Sequence, residues 1–493
     1  MSLLTITNKS TDIYLSDMFK VTRSLYNVQH YDIVIVGGGP AGLTMLSALK
    51  NNPKINNKLT FKLIESNNLS RDIKNYSEMN DDQFTNRLIS ITPKNIEFLT
   101  SKLKLPLNFN KISKFNSISV FNGTTDFNKA KIDIQTDSYM CEIMNLVNSN
   151  YQNDQKNHIL ENTKVKEIDF KSNYPILKLN NDTDVSAKLV IGCDGYNSCI
   201  KKLINNGQGQ GWSYNSFGVV GNLKFKYPIT STPKGWQIFL NTGPLAHLPL
   251  NNKDRGSMVW SCNKKMFELF TKKCKNGQVL GRLINCAYVL DRPDYEYYLN
   301  KAFDLYKNED VDHELEEKLI ESMDKRVDMV SEKLASTNTS NTQDNMLYME
   351  ENYPPMLDSV DVTTVGGFPL KVFHADEYSK DRLVLIGDAC HNTHPLAGQG
   401  LNMGIEDIKE LTKQLENALD HGIDIGNNEL VLKKYHQNRV LENSMMLIGT
   451  DFLQKLFSVN HPAVHKLTNV GMNVFNSLDF VKEWLSFRVS GKK

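Results

Sequence analysis

No stretch of the sequence stays apolar for the roughly 20 residues that a membrane-crossing helix needs, so any membrane contact is expected to be peripheral. Neither sign of charge is in excess. Lys and Arg number 57 against 56 Asp and Glu. No basic stripe stands out either, which leaves no field for gathering nucleic acid. Cysteine is sparse: seven residues, with no CxxC pair and no finger-like spacing. That argues against a disulfide framework and a structural zinc site, and suggests reduced packing thiols of an intracellular enzyme.

What is present is ordinary for a soluble globular chain: 40% hydrophobic and 23% charged residues over a length of 493. One compact core rarely serves such a length, so two lobes are expected. Residues 1–30 read as a leader or a disordered tail. Asp12 and Asp17 weaken a mitochondrial presequence, whereas translation from Met18 would leave a short basic leader with Lys20 and Arg23.

Tyr31 to Val36 is a continuous apolar run ending in glycines, as in a strand buried on both faces. Ala41 to Lys50 reads as a helix and Leu59 to Glu65 as a second strand, which together make one βαβ unit. Residues 212–262 are rich in aromatic and β-branched residues broken by Gly and Pro, which predicts antiparallel strands. Residues 310–333 have a helical pattern, and 335–345 (ASTNTSNTQDN) read as a flexible exposed insertion. Residues 382–387 return to the buried-strand pattern, and from 403 onward the chain looks helical.

Three stretches carry chemistry. In Gly37-Gly38-Gly39-Pro40-Ala41-Gly42, Gly37 permits a tight turn and Gly39 lets a pyrophosphate approach the backbone. Gly42 lets the helix pack on the strand, and the phosphates meet the helix N-terminus. Glu65 lies 23 residues after Gly42, near the roughly 20 expected for a carboxylate that binds adenosine ribose. That negative charge argues against a 2′-phosphate. The second stretch, residues 189–195, is a short strand ending in Asp194-Gly195, which alone is a common turn. In the third, residues 381–408, a strand ends at Gly387-Asp388. A loop with Pro395, Gly398 and Gly400 follows, and a helix begins near Leu401 and Asn402. Asp388 can accept hydrogen bonds from a ribityl chain, and the helix N-terminus suits the edge of a flavin that becomes anionic on reduction. His391 and His394 invite a zinc reading, but no third ligand is near them in sequence. GQGQG at residues 207–211 lacks a preceding buried strand and reads as a loop, so no separate NAD(P) domain is expected.

These three fingerprints resemble those of the flavin-dependent aromatic hydroxylases of the para-hydroxybenzoate hydroxylase type. Within that group the chain is most similar to the mitochondrial ubiquinone-biosynthesis monooxygenases and the bacterial ubiquinone ring hydroxylases. The most specific pieces are FTNRLISITPKNIEFL (84–99), GWQIFLNTGPLAHLPL (235–250), FPL with HAD (368–376) and GDACHNTHPLAGQGLNMG (387–404). The resemblance implies a mixed α/β fold: a Rossmann-like FAD-binding domain (31–120, 140–212 and 370–435), an interleaved antiparallel substrate domain (213–369) and a helical C-terminal region (436–493). It places Arg87 along the pyrophosphate and ribityl, Val165 at the adenine, and Asp194 and Gly195 in the dinucleotide groove. Asp388 falls at the ribityl, and Pro395, Gly398, Gly400, Leu401 and Asn402 under the isoalloxazine. Departures are Cys193 for alanine, Lys201 or Lys202 for arginine, and Gly366-Gly367 for an Arg-rich approach to Phe368-Pro369-Leu370.

The resemblance also implies the reaction. Reduced FAD and O2 form a flavin C4a-hydroperoxide, and one oxygen passes to the ring of a polyprenylated phenol or benzoate intermediate of ubiquinone. No catalytic acid or base is named. His247 and Trp236 are candidates for the substrate lobe, with a buried core role the more expected. Electrons would come from a ferredoxin and its reductase, with other ubiquinone-biosynthesis proteins as partners, at the matrix side of the inner mitochondrial membrane. The C-terminal apolar positions Met445, Leu447, Ile448, Phe452, Leu453, Leu456 and Phe457 are expected to pack in the core. Val474, Phe475, Leu478, Val481, Trp484 and Leu485 are expected to meet a membrane or partner. The rival readings are another FAD enzyme of this fold, such as a prenyl reductase or epoxidase, and a flavoprotein scaffold of a biosynthetic complex.

Overall fold

The computed structural model describes residues 28–477, apart from 128, 154–155, 171, 309–310, 340, 396–397 and 460. The leader reading for residues 1–27 and the apolar positions Leu478, Val481, Trp484 and Leu485 lie outside the described residues.

Ile33, Val34 and Ile35 are fully enclosed at the centre of β1 (Val28–Val36). The glycine turn then leads into α1 (Pro40–Lys50) and on to β2 (Phe61–Ile64), which pairs with β1 in parallel. The expected βαβ unit is therefore present. The chain leaves this sheet for β3 (Leu88–Ile91), β4 (Ile112–Asn122) and β5 (Lys131–Glu142). It returns for α2 (Ile143–Gln152), β6 (Ile159–Leu160), the hairpin of β7 (Val165–Asp169) and β8 (Ile176–Leu179), and β9 (Asp184–Gly192). A second excursion supplies β10 (Gly209–Phe225), β11 (Gly235–Leu240), β12 (Gly243–Pro249) and β13 (Arg255–Cys262). Helices α3 (Gly277–Val289), α4 (Arg292–Leu305), α5 (His313–Asn338) and α6 (Thr342–Asn352) follow, and β14 (Leu357–Ala375) closes the excursion. After β15 (Ser379–Lys380), β16 (Leu383–Leu385) and β17 (His391–Asn392) come α7 (Gly400–Asp420), α8 (Lys433–Ser458) and α9 (Pro462–Ser477).

Two sheets result. The first runs β15-β16-β9-β1-β2-β6, with β7 and β8 attached beside β9. Its long strands are parallel, as buried βαβ strands should be. The second runs β17-β14-β10-β13-β12-β11-β4-β5-β3 and is antiparallel except where β11 meets β4. One face of the second sheet packs Trp236, Met258 and Trp260 against Leu280, Leu283, Leu299 and Met323 of α3 to α5. The other face carries Phe239, Ile132 and Ser261 and turns toward α8, α9 and the first sheet.

Three expectations are corrected. Residues 88–91 and 112–142, read as part of the nucleotide-binding portion up to residue 120 and from 140, contribute β3, β4 and β5 to the second sheet. GQGQG is no loop: Gly209 opens β10, and a Cβ at Gly209 or Gly211 would lie 2.4 or 2.5 Å from a carbonyl oxygen of β14. Those glycines allow two long strands to approach. Residues 335–338 and 342–345, read as an insertion without regular structure, are helical and belong to the end of α5 and the start of α6. Thr337, Asn338 and Thr339 bond back to carbonyls four residues earlier, which extends α5, and Asn341 caps α6 by accepting from Asp344 N–H.

The carboxylate of Asp407 in α7 is fully buried and joins three parts of the fold. Oδ2 lies 2.6 Å from His391 Nε2 and accepts from Gly387 N–H at 3.1 Å. Oδ1 accepts from Arg439 Nε at 2.8 Å and from Asn443 at 3.2 Å, both on α8. Burial opposes its charge, but His391 and Arg439 outweigh burial and hold the carboxyl pKa down to about 2. A depressed carboxyl pKa stabilises the fold above the unfolded value and loses that contribution as pH falls through the folded one. This contribution is therefore expected to vanish between about pH 4 and about pH 2. Asp407→Ala would strand the Arg439 charge and cost about 3–5 kcal/mol. A lower thermal midpoint for Asp407→Ala than for Asp407→Asn is the expected result.

Candidate functional site

A cleft of about 700 Å3 opens between the C-terminal ends of the first sheet's strands and the β14 edge of the second sheet. Ligands in open α/β sheets sit beyond the carboxyl ends of the strands, and the three fingerprints converge there. Gly37, Gly39, Glu65, Val165, Asp194, Gly195, Asp388, Pro395, Gly398, Gly400 and Leu401 all line it.

The glycine turn is shaped by contact. Gly37 has φ +106°, and a Cβ there would lie 2.5 Å from the Cys193 carbonyl oxygen. A Cβ on Gly42 would strike the Gly37 carbonyl oxygen at 1.9 Å, so the start of α1 is packed onto the turn behind the cleft. Gly39 differs: a Cβ there would meet nothing within 4 Å and would project into empty cleft. Its glycine suits a ligand rather than the protein interior. Glu65, just past β2, accepts from Gly38 N–H at 2.5 Å and Asn67 N–H at 2.6 Å. The acid thus braces the turn and lines the cleft together with Val165.

Asp194 follows β9. Its Oδ2 accepts from Cys199 N–H at 2.7 Å, while Oδ1 is buried with no hydrogen-bond partner among the described residues. Gly195 has φ +75° and open space where a side chain would be. An orphan carboxylate oxygen beside a bare backbone invites a hydroxyl donor from a ligand.

Asp388 occupies the turn Gly387–Ala389 and is open to the cleft. The close protein around it desolvates its carboxyl and raises the pKa, with His391 and Arg87 opposing. Arg87 is exposed just before β3, lies outside the cleft lining and has no ion pair among the described residues. Gly400 begins the 21-residue α7, so the free N–H groups of its first turn face the cleft. Asn402 does not face it. Its side chain is buried, accepts from Thr92 N–H at 3.1 Å and donates to Ser90 O at 2.7 Å, which anchors α7 to β3.

Other sequence candidates fall elsewhere. Trp236 and His247 are register partners on the helix-covered face of the second sheet, away from the cleft. They line a separate cavity of about 400 Å3, where burial pushes the His247 imidazole pKa down to about 3. His391 does gain companions: Cys390 and Asp407 bring ligand atoms within 4.8 Å. Because Asp407 already holds Arg439, that cation occupies the role a metal would take. His394 is turned to the second sheet, 3.3 Å from Ser261 Oγ and edge-on to Tyr214, and burial lowers its pKa to about 4. Gly367 stands where an arginine was expected because a Cβ would lie 2.6 Å from the Phe267 ring. Asp407, Arg439 and Asn443 were not anticipated; an acid seven residues into α7 was the one available hint.

Residues 327–443 match a family model described as an FAD binding domain. The mitochondrial ubiquinone biosynthesis monooxygenase COQ6 of Saccharomyces cerevisiae is 35% identical over 476 residues, covering 94% of this chain and 94% of that protein. The enzyme of the same name from Schizosaccharomyces pombe is 29% identical, over 93% and 91%. The human one is 31% identical over 62% and 58%. Among solved structures, p-nitrophenol 4-monooxygenase PnpA from Pseudomonas putida is 15% identical and aligns with a TM-score of 0.60 over 94% of this chain and 100% of that one. The probable FAD-dependent monooxygenase pqsL of Pseudomonas aeruginosa is 14% identical and aligns at 0.58 over 88% and 98%. These two likenesses carry the fold alone.

The empty space at Gly39 separates folding from binding. Gly39→Val is expected to leave the thermal midpoint equal to that of flavin-stripped wild type and to abolish flavin in the purified protein, read by its visible absorbance. A lowered midpoint or retained flavin would contradict the geometry.

Proposed function

This chain belongs to the COQ6 family of ubiquinone biosynthesis monooxygenases, and from that premise we propose how its residues do the family's work. It is an FAD-dependent monooxygenase that hydroxylates the aromatic ring of a ubiquinone precursor, using O2 and a phenolic substrate, and it is mitochondrial. The chemistry FAD supplies when bound and reduced is activation of O2 for transfer of one oxygen atom to an electron-rich ring.

The residues each take a share of holding FAD. Gly37, Gly39 and Gly42 form the turn over the pyrophosphate, with the exposed Arg87 as the cation beside it. Glu65 accepts the adenosine ribose hydroxyls, and the Val165 backbone meets the adenine. Asp194 and Gly195 flank the groove, where the orphan Oδ1 of Asp194 takes a hydroxyl. Asp388 accepts from the ribityl chain. Pro395, Gly398, Gly400 and Leu401 lie under the ring system, whose reduced anionic edge meets the α7 N-terminus. Asn402 acts from behind by fixing that first turn on β3.

The ring to be hydroxylated is placed on the opposite side, against the face of the second sheet that carries Ser261 and beside His394. The low pKa of His394 keeps its imidazole neutral there. With the sheet on one side and α8 over the other, the reacting ring is shielded from water, which the oxygen transfer requires. The substrate is a polyprenylated phenol or benzoate. Electrons come from a ferredoxin and its reductase: GxGxxG at residues 37–42 serves FAD, and Lys164 and Lys371 at the cleft give an acidic carrier a cationic approach. The protein sits peripherally at the matrix side of the inner membrane with other enzymes of the pathway. Among the described residues no helix is long and apolar enough to cross a membrane.

The observation that carries this reading is the convergence of the three fingerprints on one cleft beside the second sheet. Removing the protein from its host and identifying the quinone precursor tests it. A precursor lacking one ring hydroxyl should accumulate, and Asp388→Ala should fail to correct it. A normal quinone pool would refute the assignment, and full correction by Asp388→Ala would favour a scaffold.

A further inference from the structure

Helix α8 is apolar on two opposite faces. Its inner face packs Leu447 with Val372 and Met403, and stacks Phe457 on Phe239 at 3.9 Å. The same face reaches the cofactor loop, where Thr450 Oγ1 lies 3.0 Å from Thr393 Oγ1. Its outer face carries Leu441, Met445, Ile448 and Phe452 at steps of four, three and four residues, which is one stripe of a helix. Relative exposures along this stripe are 65, 48, 68 and 61%. Helix α9 adds Leu467 at 70% and Val470 at 59%. Isolated exposed apolar residues need no explanation, but a stripe along one helix followed by further exposed apolar residues on the next does.

Charge distinguishes the kinds of cover. From Phe452 to Ser477 the sequence has no Asp or Glu but has Lys455 and Lys466, both exposed. The acids that precede this stretch are engaged: Glu442 pairs with Arg439, and Asp451 accepts from Tyr214 and pairs with Lys455. Lys455 also lies 4.1 Å from the centre of the Trp212 ring, and Trp212 is 44% exposed. An apolar face with Lys466 and an amphipathic indole at its rim, and no Asp or Glu from Phe452 to Ser477, fits an anionic lipid surface.

We propose that the outer face of α8 and α9 is seated on anionic lipid, and that this seat delivers the substrate. Resting on the polyprenylated-substrate reading above, it places α8 between the bilayer and the pair Thr393 and Met403. A helix with its side chains is about 10–12 Å thick. A phenol head group therefore needs to travel only about that distance under α8 to reach the cofactor loop, while its tail stays in lipid. Lying in the interface plane, α8 need not cross the membrane.

Flotation of the FAD-loaded protein with vesicles tests the seat. Vesicles of phosphatidylcholine mixed with phosphatidylglycerol should carry the wild type, and phosphatidylcholine alone should carry much less. The double variant Ile448→Glu, Val470→Glu should bind anionic vesicles at least about tenfold more weakly. It should keep its flavin, its thermal midpoint and its rate on a short-tailed soluble phenol, and lose any rate advantage for long-tailed ones. A chain ending at Ser477 should float as the full chain does. The proposal is overturned if the wild type stays unbound, which would turn the face toward a protein partner. It is equally overturned if the double variant floats normally, or if trimming after Ser477 abolishes binding. Failure of the wild type to hydroxylate any short-tailed phenol would instead sink the functional reading and leave the vesicle result standing.

Discussion

At Asp407 a single carboxylate, taken wholly out of water, must be matched by what surrounds it, and the groups that match it come from three places. Gly387 N–H and His391 flank the cleft-facing Asp388, while Arg439 and Asn443 come from α8. A buried charge tolerates little rearrangement, because losing one partner leaves the others uncompensated. The turn that presents Asp388 is thereby held in register with α7, whose first N–H groups face the same cleft. The position of α8 over the second sheet is held by the same contacts. The turn that presents Asp388 and helix α8 are parts of one buried polar network.

The second constraint is topological. The chain passes between the two sheets repeatedly, and β3, β4 and β5 are delivered to the second sheet before the first is complete. Cleft residues from the glycine turn, from β3 and β14, and from the loop before α7 therefore stand against one another without a separate docking interface. Asn402, bonded to Ser90 and Thr92, and Gly398, where an added Cβ would lie 3.3 Å from Ser90 Cβ, tie the loop to that early excursion.

What could be read from the sequence was local. The βαβ unit, the glycine turn, Glu65 and the Asp388 loop are each encoded within about thirty residues, where period and spacing carry the signal. Asp407 with Arg439 was not legible, since nothing in an amphipathic helix distinguishes a buried acid from a solvated one until its partner 32 residues away is placed. GQGQG was misread because its glycines answer the crowding of β14, a long-range strand partner. Helix α8 was expected to pack in the core, which holds for Leu447 and Phe457 but not for Ile448 and Phe452. Apolar periodicity on two faces does not say which face is covered. Trp236 and His247, within one of the four most specific stretches, face the helices instead of the cleft, because alternation along β11 and β12 points them there.

The central claim is that a flavin held in this cleft passes oxygen to a phenol lying against the second sheet. The most direct measurement is a single turnover of the purified FAD-loaded protein, reduced by a chemical reductant in the presence of a short-tailed precursor phenol and then mixed with heavy-isotope O2. One heavy oxygen atom in a new ring hydroxyl is the predicted result. Reoxidation of bound flavin with no hydroxylated product, or a hydroxyl whose oxygen comes from water, would contradict it.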